Sequence, residues 1–265
     1  MAAKNASQEF LDASQYTESG ILHYEFVFGG IGAGFISTGG IDSTRVIFNE
    51  NPLIDGDRVL DVGCGIGGPA KFLNDTFNAN VLGVDLSSNC VSIANKRNVS
   101  RSMNFIVADA VTYPFEDNHF DLVYSRDVIL HIASKDILFN RLLKATKPGG
   151  KLVMTDYCCG PQENWDEEFE SYVAQRGYHL LTVEQYKSIL EQAGWIVDRA
   201  EDKTAWFQEI LQAEKARAIA QQAEFLAQFQ QEDFDHLMEG WNNKLVRVPK
   251  GHQRWGYFVA HKPVN

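Results

Sequence analysis

The chain has 265 residues, of which 45% are hydrophobic and 22% are charged, as in an ordinary globular protein. Its net charge of −11 argues against a nucleic-acid substrate, because binding a phosphate backbone needs a basic surface. The sequence has no amino-terminal apolar leader and no apolar run of about 18 residues, so we expect a cytoplasmic protein without membrane contact. Cysteine spacing predicts no metal site and reduced, buried thiols at Cys64, Cys90, Cys158 and Cys159.

Residues 1–50 are predicted to form a helical cap ahead of the first strand. Apolar side chains at helical spacing predict one helix over Tyr16–Phe28 and a second over about 41–49. The glycines within Gly29–Gly34 predict a mobile turn between them, because glycine is costly to hold in regular structure. We expect this cap to cover a substrate.

From residue 51 onward, short apolar strands alternate with helices, which predicts an α/β protein with a Rossmann-like, mostly parallel sheet covered by helices on both faces. Within 51–160, the cofactor-binding core, we predict strands at 57–62, 80–84, 103–108, 119–124 and 150–156, and helices at 68–77, 87–97 and 134–145. Residues 161–254 are predicted to supply substrate-side helices at 165–175, 182–193 and 204–229 and a strand at 195–199, before a closing strand at about 256–261 within 255–262. The sequence shows no repeats, so we expect a single domain over 1–265 with a seven-stranded sheet.

The first of these strands is followed by a glycine-rich turn, Asp61-Val62-Gly63-Cys64-Gly65-Ile66-Gly67-Gly68, and the second ends at Asp85. Glycines let a ligand approach the backbone and expose N–H groups at the start of the next helix. The Asp85 carboxylate can accept both hydroxyls of a ribose. This stretch therefore predicts a site for a ligand with an adenosine-like half.

Two cofactor classes fit that prediction, since the glycines also match the dinucleotide pattern G-x-G-x-x-G of nicotinamide enzymes. Three features favour S-adenosylmethionine. Asp61 lies two residues before the first glycine, where a carboxylate faces an amino-acid group and not a pyrophosphate, and Asp109 offers an acid beside an adenine. The third feature is the order of the strands with their acids from Val59 to Met154, which resembles the class I S-adenosylmethionine-dependent methyltransferases.

A candidate for proton transfer follows the fourth predicted strand. Asp127 and His131 are four residues apart, so on a helical turn they would share one face. Ligands of open parallel sheets bind beyond the strand ends, so we expect both groups near a transferring methyl. A neutral His131 could accept a proton from an amine. The alternative is a solvated Asp/His pair or a hydrogen-bonded core histidine.

A narrower resemblance, to the phosphoethanolamine N-methyltransferases, covers nearly the whole chain from Gln15 to Phe258 and is nearest to their short single-domain form. The segments that carry it are Gln15-Tyr16-Thr17, Tyr24-Glu25-Phe26, Ile36-Ser37, Ser125–His131, Thr155-Asp156-Tyr157, Glu163-Asn164-Trp165-Asp166, Gln175-Arg176-Gly177-Tyr178 and Gln253-Arg254-Trp255-Gly256-Tyr257-Phe258. Two segments, Gly29–Gly34 and Thr204–Gln231, depart from the pattern. We expect both to belong to a helical lid formed by the amino-terminal cap and the helices after the core, so the resemblance does not predict how this lid closes.

The resemblance implies three successive methyl transfers from S-adenosylmethionine that convert phosphoethanolamine to phosphocholine. It implies that Tyr16 and His131 form a catalytic pair with Asp127 beside the amine, and that the closing strand runs antiparallel. The implied cofactor-binding residues are Ile36, Ser37, Asp61, Gly63, Gly65, Asp85, Leu86, Asp109, Ala110, Ser125 and Arg126. The implied phosphobase-binding residues are Gln15, Tyr16, Tyr24, Ile36, Ser37, Asp127, Tyr157, Arg176, Tyr178 and Lys244.

The residue types agree with that assignment. A phosphate needs cations and hydroxyls, which Arg176, Lys244 and the tyrosines supply, and a methylated ammonium needs aromatic faces and a carboxylate. Alternatives are a phosphobase enzyme limited to the last two methylations, a small-amine methyltransferase acting on glycine or sarcosine, and a non-catalytic S-adenosylmethionine-binding regulator. We expect a monomer whose only partner is a small-molecule substrate.

Overall fold

The computed structural model describes residues 17–30 and 32–264, which fall into two compact units. The first unit takes its residues from Met1–Asp57, Asp61–Ala110 and Ala213–Glu239. The second takes its residues from Arg58–Leu60, Val111–Gln212 and Gly240–Asn265. The expectation of a single domain stays a prediction.

Within the described residues, seven strands form one sheet in the order β3-β2-β1-β4-β5-β7-β6. The strands are β1 (Arg58–Val62), β2 (Asn80–Asp85), β3 (Met103–Val107), β4 (Phe120–Arg126), β5 (Thr146–Cys159), β6 (Ile196–Asp202) and β7 (Gln253–His261). β2 pairs with β3 and β4 with β5 in parallel, whereas β7 runs antiparallel to both β5 and β6. The predicted α/β class, the mostly parallel sheet and the antiparallel closing strand are confirmed.

Ten α-helices lie in the described part of the chain. They are α1 (Glu18–Gly29), α2 (Gly40–Glu50), α3 (Gly68–Phe77), α4 (Ser88–Arg97), α5 (Lys135–Ala145), α6 (Glu167–Arg176), α7 (Val183–Gln192), α8 (Thr204–Ala220), α9 (Gln222–Leu226) and α10 (Gln231–Arg247). Short 3-10 turns occupy Ile129–His131 and Gln162–Asn164. A capping box of Thr182 and Gln185 begins α7, with each side chain bonded to the other residue's backbone N–H.

One helix prediction is wrong, and one helix was not predicted. The predicted helix over 204–229 ends at Ala220, because Gln221 leaves the helical conformation with φ −101° and ψ 13°, and the chain restarts as α9. The sequence interpretation also left α10 without an element. Its buried Phe234, Leu237 and Trp241 lie three and four residues apart, which is the helical signal that was present and missed.

The remaining compositional predictions concern thiols and membranes. All four cysteines are buried and unbridged, as expected, and burial raises the pKa of each thiol. In residues 17–30 and 32–264, no helix has the length and apolar character needed to span a bilayer.

Candidate functional site

The turn after β1 needs glycine for its backbone conformation. Gly63, Gly65 and Gly67 have φ values of 74°, 52° and 85°, in the left-handed region that other residues enter at a cost. A Cβ on Gly65 would lie 2.8 Å from the Ile36 side chain, so Ile36 packs directly over the turn. The predicted glycine turn is thus present and is closely packed within the first unit.

Asp85 lies at the end of β2, with its carboxylate held by the same turn. Its Oδ2 accepts the Gly65 N–H at 2.9 Å and its Oδ1 accepts the Ser87 N–H at 2.8 Å. Burial raises the pKa of Asp85, and the N–H groups of Ser87, Gly65 and Leu86 oppose that rise. Because a carboxylate has about four lone-pair directions, the group can still accept ligand hydroxyls.

Two further polar side chains of the first unit are buried where a cofactor was predicted. Asp61 on β1 is 2% exposed, and Ser37 precedes α2. The Ser37 hydroxyl is buried and has no hydrogen-bond partner among the described residues, which is costly unless a ligand supplies one. Asp109 and Ala110 follow β3, and Leu86 follows β2. This donor and acceptor set fits a ligand with ribose, base and amino-acid groups.

The segment that carries Ile36 and Ser37 is anchored at both ends by buried glutamates. Glu25 on α1 accepts the Gly34 N–H at 2.7 Å and pairs with Arg97 at 2.7 Å. Glu214 on α8 accepts the Gly39 N–H at 2.7 Å. The predicted turn between α1 and α2 is present, and these anchors, which the sequence interpretation missed, hold its second half.

In the second unit, Asp127 follows β4 but does not begin a helical turn. Its φ is +54°, and its backbone N–H donates to the Thr155 carbonyl at 2.9 Å, so the chain continues the sheet contact at that residue. The argument that Asp127 and His131 share a helical face is therefore wrong, because only Ile129–His131 form a 3-10 turn. Ser125 and Arg126, predicted to bind cofactor, are buried in β4, where Arg126 donates to the Thr155 hydroxyl at 2.9 Å.

The Asp127 carboxylate is held by two donors from other strands. The indole N–H of Trp255 on β7 donates to Oδ1 at 2.8 Å, and the Thr155 hydroxyl on β5 donates to the same oxygen at 3.1 Å. Trp255 is fully buried. The carboxylate orientation is consequently fixed by its neighbours.

His131 lies at the end of its 3-10 turn with its ring edge-on to Tyr178, at 5.0 Å between centroids. Lys135 joins the two segments that carry these rings, because its ammonium donates hydrogen bonds to the Ile132 carbonyl at 2.6 Å and to the His179 carbonyl at 2.7 Å. Burial, and then the charges of Arg176, Lys135 and His179, lower the pKa of His131 to about 4. His131 is therefore neutral at pH 7.

A chain of contacts links His131 to the predicted phosphobase residues of the second unit. Tyr178 lies beside Arg176, Tyr157 and Tyr172, and burial together with the neighbouring tyrosines raises its pKa. The Lys244 ammonium lies 4.0 Å from the Trp241 ring centroid and 5.8 Å from that of Tyr157. Two cations and three tyrosine hydroxyls thus occur in one cluster.

The other predicted site residues are more scattered. Tyr24 lies on α1 in the first unit, with its ring stacked 6.4 Å from Phe28. Gln15 and Tyr16 lie outside the described residues. The sequence interpretation missed Trp255, Thr155 and Trp241 as partners of predicted site residues. Only Trp241 had a signal, its spacing of three residues from Lys244, and that spacing is informative only once α10 is recognised.

Three comparisons place these features among known proteins. Residues 60–154 match a family model described as a methyltransferase domain. A phosphoethanolamine N-methyltransferase of Triticum aestivum is 47% identical over 257 residues, covering 96% of this chain and 50% of the relative. The enzyme of that name from Plasmodium falciparum is 39% identical over 261 residues, covering 97% of each chain. The chain thus spans about half the length of the plant relatives and nearly all of the parasite one.

A solved structure extends the likeness to three dimensions. Haemonchus contortus phosphoethanolamine N-methyltransferase 2, in complex with phosphomonomethylethanolamine and S-adenosylhomocysteine, superposes with a TM-score of 0.93 at 40% identity. The superposition covers 98% of this chain and 60% of that one.

Proposed function

Because this chain belongs to the phosphoethanolamine N-methyltransferases, a family of class I S-adenosylmethionine-dependent enzymes, we propose that it methylates the amine of phosphoethanolamine. The proposed products are the mono- and dimethyl phosphobases and finally phosphocholine. The observation that carries the proposal is the cluster in the second unit, where Arg176, Lys244 and tyrosine hydroxyls accompany a neutral histidine.

The proposed cofactor is S-adenosylmethionine, which supplies an electrophilic methyl group on a sulfonium when bound. The Asp85 carboxylate would accept the ribose hydroxyls, and Asp61 would accept the ammonium of the amino-acid end. The buried Ser37 hydroxyl supports a polar ligand there, since the described residues give it no partner. The likeness to a structure solved with S-adenosylmethionine, another of Haemonchus contortus phosphoethanolamine N-methyltransferase 2, supports this cofactor over a nicotinamide.

We assign phosphate recognition to Arg176 and Lys244 together with the hydroxyls of Tyr157 and Tyr178. A phosphate dianion gains strong charge-assisted hydrogen bonds from such a set. Trp241, 4.0 Å from the Lys244 ammonium, restrains the lysine side chain and supports its role as a fixed cation. Tyr16 and Gln15, on the part of the chain outside the described residues, are retained as proposed substrate contacts.

The chemical step needs a free lone pair on the amine. An alkylammonium with a pKa near 10 costs about 4 kcal/mol to deprotonate at pH 7. His131 is neutral at that pH and can accept the proton. A phosphate bound at Arg176 would offset one of the charges that lower the pKa of His131, so substrate binding would strengthen the base. Asp127 would accept N–H groups of the ammonium and so restrain the amine.

One narrower function has an observation in its favour. The structural relative from Haemonchus contortus was solved with the monomethyl phosphobase, which is the first substrate of an enzyme restricted to the last two methylations and an intermediate of the full series. An assay with labelled S-adenosylmethionine tests both proposed functions. Its substrates are ethanolamine, phosphoethanolamine, the mono- and dimethyl phosphobases, and glycine. Methylation of all three phosphobases supports the full series. Failure with phosphoethanolamine alone selects the narrower function, and methylation of glycine or free ethanolamine contradicts both.

A further inference from the structure

The carboxylate of Asp127 has an unusual support for a group assigned to bind an ammonium. Its backbone is in the left-handed region, with φ +54°, which only a few residue types tolerate. Both side-chain donors, the Trp255 indole at 2.8 Å and the Thr155 hydroxyl at 3.1 Å, engage the same oxygen, Oδ1. The sequence motif around Asp127 contains neither donor and does not predict these hydrogen bonds.

Trp255 is built into the sheet so that its indole cannot turn away. The residue is 0% exposed, its backbone N–H donates to the Thr204 hydroxyl at 3.1 Å, and its backbone carbonyl accepts the Lys203 N–H at 2.8 Å. Its ring packs against Phe207 and Trp206, at centroid distances of 5.7 Å and 5.2 Å, and lies 5.9 Å from the Arg126 guanidinium. A side chain fixed on this many sides makes a rigid hydrogen-bond donor.

We propose that Trp255 is a positioning residue, whose indole N–H holds the Asp127 carboxylate in the orientation that receives the substrate ammonium. This role rests on the proposed function. Two donors on Oδ1 fix the plane of the carboxylate, which sets the direction in which it can accept an N–H from the amine. The primary ammonium of phosphoethanolamine has three such N–H groups and each methylation removes one. The dimethyl ammonium has a single N–H, which the proposed base His131 receives, so this substrate has no N–H left for Asp127 and depends least on the direction of the carboxylate.

The test is a double-mutant cycle with Trp255→Phe and Asp127→Asn. Phenylalanine keeps the ring packing and removes the N–H, while asparagine tolerates the left-handed backbone and removes the charge. We expect Trp255→Phe to lower kcat/KM for phosphoethanolamine about tenfold or more, the scale of one lost hydrogen bond to a charged group, and to lower it less for the dimethyl phosphobase. In the Asp127→Asn background, the same change should have little further effect. Trp195→Phe, which removes a different buried indole hydrogen bond, to the Phe139 carbonyl, is the matched control and should leave both rates near wild type.

A second measurement does not depend on turnover. With indole nitrogens labelled with ¹⁵N, the Trp255 resonance, identified by its absence from Trp255→Phe, should move in Asp127→Asn and on adding phosphoethanolamine. If wild type turns over normally but the effects of Trp255→Phe and Asp127→Asn multiply, Trp255 has no positioning role. An indole resonance that does not move in Asp127→Asn would show the same. Either result would leave the proposed function intact. Absence of phosphobase methylation by wild type would overturn the proposed function and this role with it.

Discussion

His131 is the residue on which the proposed chemistry depends most directly. Replacing it with alanine removes the neutral base beside Tyr178 and should lower kcat by about 10²–10⁴. S-adenosylmethionine affinity should stay near wild type, because the proposed cofactor residues of the first unit are untouched. Steady-state kinetics with phosphoethanolamine and calorimetry with the cofactor check the two parts. If the variant kept most of its turnover at pH 7, His131 would have a structural role only.

The same histidine predicts how stability depends on pH. Its pKa is lowered from 6.5 to about 4 in the folded protein, so the unfolded chain binds more protons between these values. The stabilisation is therefore complete above about pH 6.5 and is lost as the pH falls toward 4. Between pH 7 and pH 5, wild type should lose at most about 2 kcal/mol more than His131→Gln in urea unfolding. Equal losses in both proteins would contradict the lowered pKa.

A substitution at Asp85 can test ligand binding, provided that it disturbs the local structure little. Because its carboxylate also accepts N–H groups of Gly65 and Ser87, alanine would disturb the turn as well as the ligand contact. Asp85→Asn keeps one of the two acceptor oxygens and should weaken S-adenosylmethionine binding by about 1.5–3 kcal/mol in calorimetry, with a smaller loss of stability than Asp85→Ala. Asp75→Asn, on the exposed face of α3, is the control. Unchanged affinity together with tight NAD binding would refute the cofactor assignment.

Sequence reasoning located residues that follow a local rule and missed those that depend on distant contacts. Asp61 and Asp85 could be predicted because each follows from a strand end beside a glycine turn. The Trp255–Asp127 hydrogen bond joins residues 128 positions apart and requires a left-handed backbone at a non-glycine residue. No pattern of spacing in the chain encodes that combination. The predicted roles of Tyr16 and Gln15 stay predictions.

At the scale of elements, the sequence interpretation failed where successive helices follow each other closely in the chain. The Ala/Gln/Glu-rich stretch after Thr204 has high helix propensity throughout, so local reasoning extended one helix across Gln221. Tertiary contacts decide otherwise: Glu214 binds the Gly39 N–H, and Arg217 donates to the Val27 carbonyl. These contacts fix the last turns of α8, and the chain leaves the helical conformation at Gln221.

The anchor on α1 yields a prediction about this part of the fold. Glu25 is fully buried and binds both Arg97 and the Gly34 N–H. Glu25→Ala would leave the amide without its acceptor and should reduce the free energy of unfolding by about 1–3 kcal/mol. Urea unfolding measures the change, and Glu191→Ala is the control, because its ion pair with Lys187 is exposed and 3.8 Å long. A loss no larger than that of the control would show that Glu25 does not anchor the segment.

At the scale of the whole molecule, the sheet was the most predictable feature. Alternation of apolar strands and helices specifies a parallel sheet with few alternatives, and all seven predicted strands occur in the described residues. Their bounds were less predictable, as β5 begins at Thr146 and not at residue 150. The early start pairs Thr146 with Phe120 across a register shift that only the folded sheet reveals.

The net charge of the molecule sets the final prediction. With a charge of −11, long-range steering disfavours a phosphate dianion, so its attraction must be local. Lys244→Ala removes one of the two proposed phosphate cations and should raise KM for phosphoethanolamine about tenfold or more. Lys187→Ala, on the exposed face of α7, changes the net charge equally and should leave KM nearly unchanged. A similar KM increase in both variants would assign the effect to global charge, and equal wild-type rates on phosphoethanolamine and free ethanolamine would contradict phosphate recognition altogether.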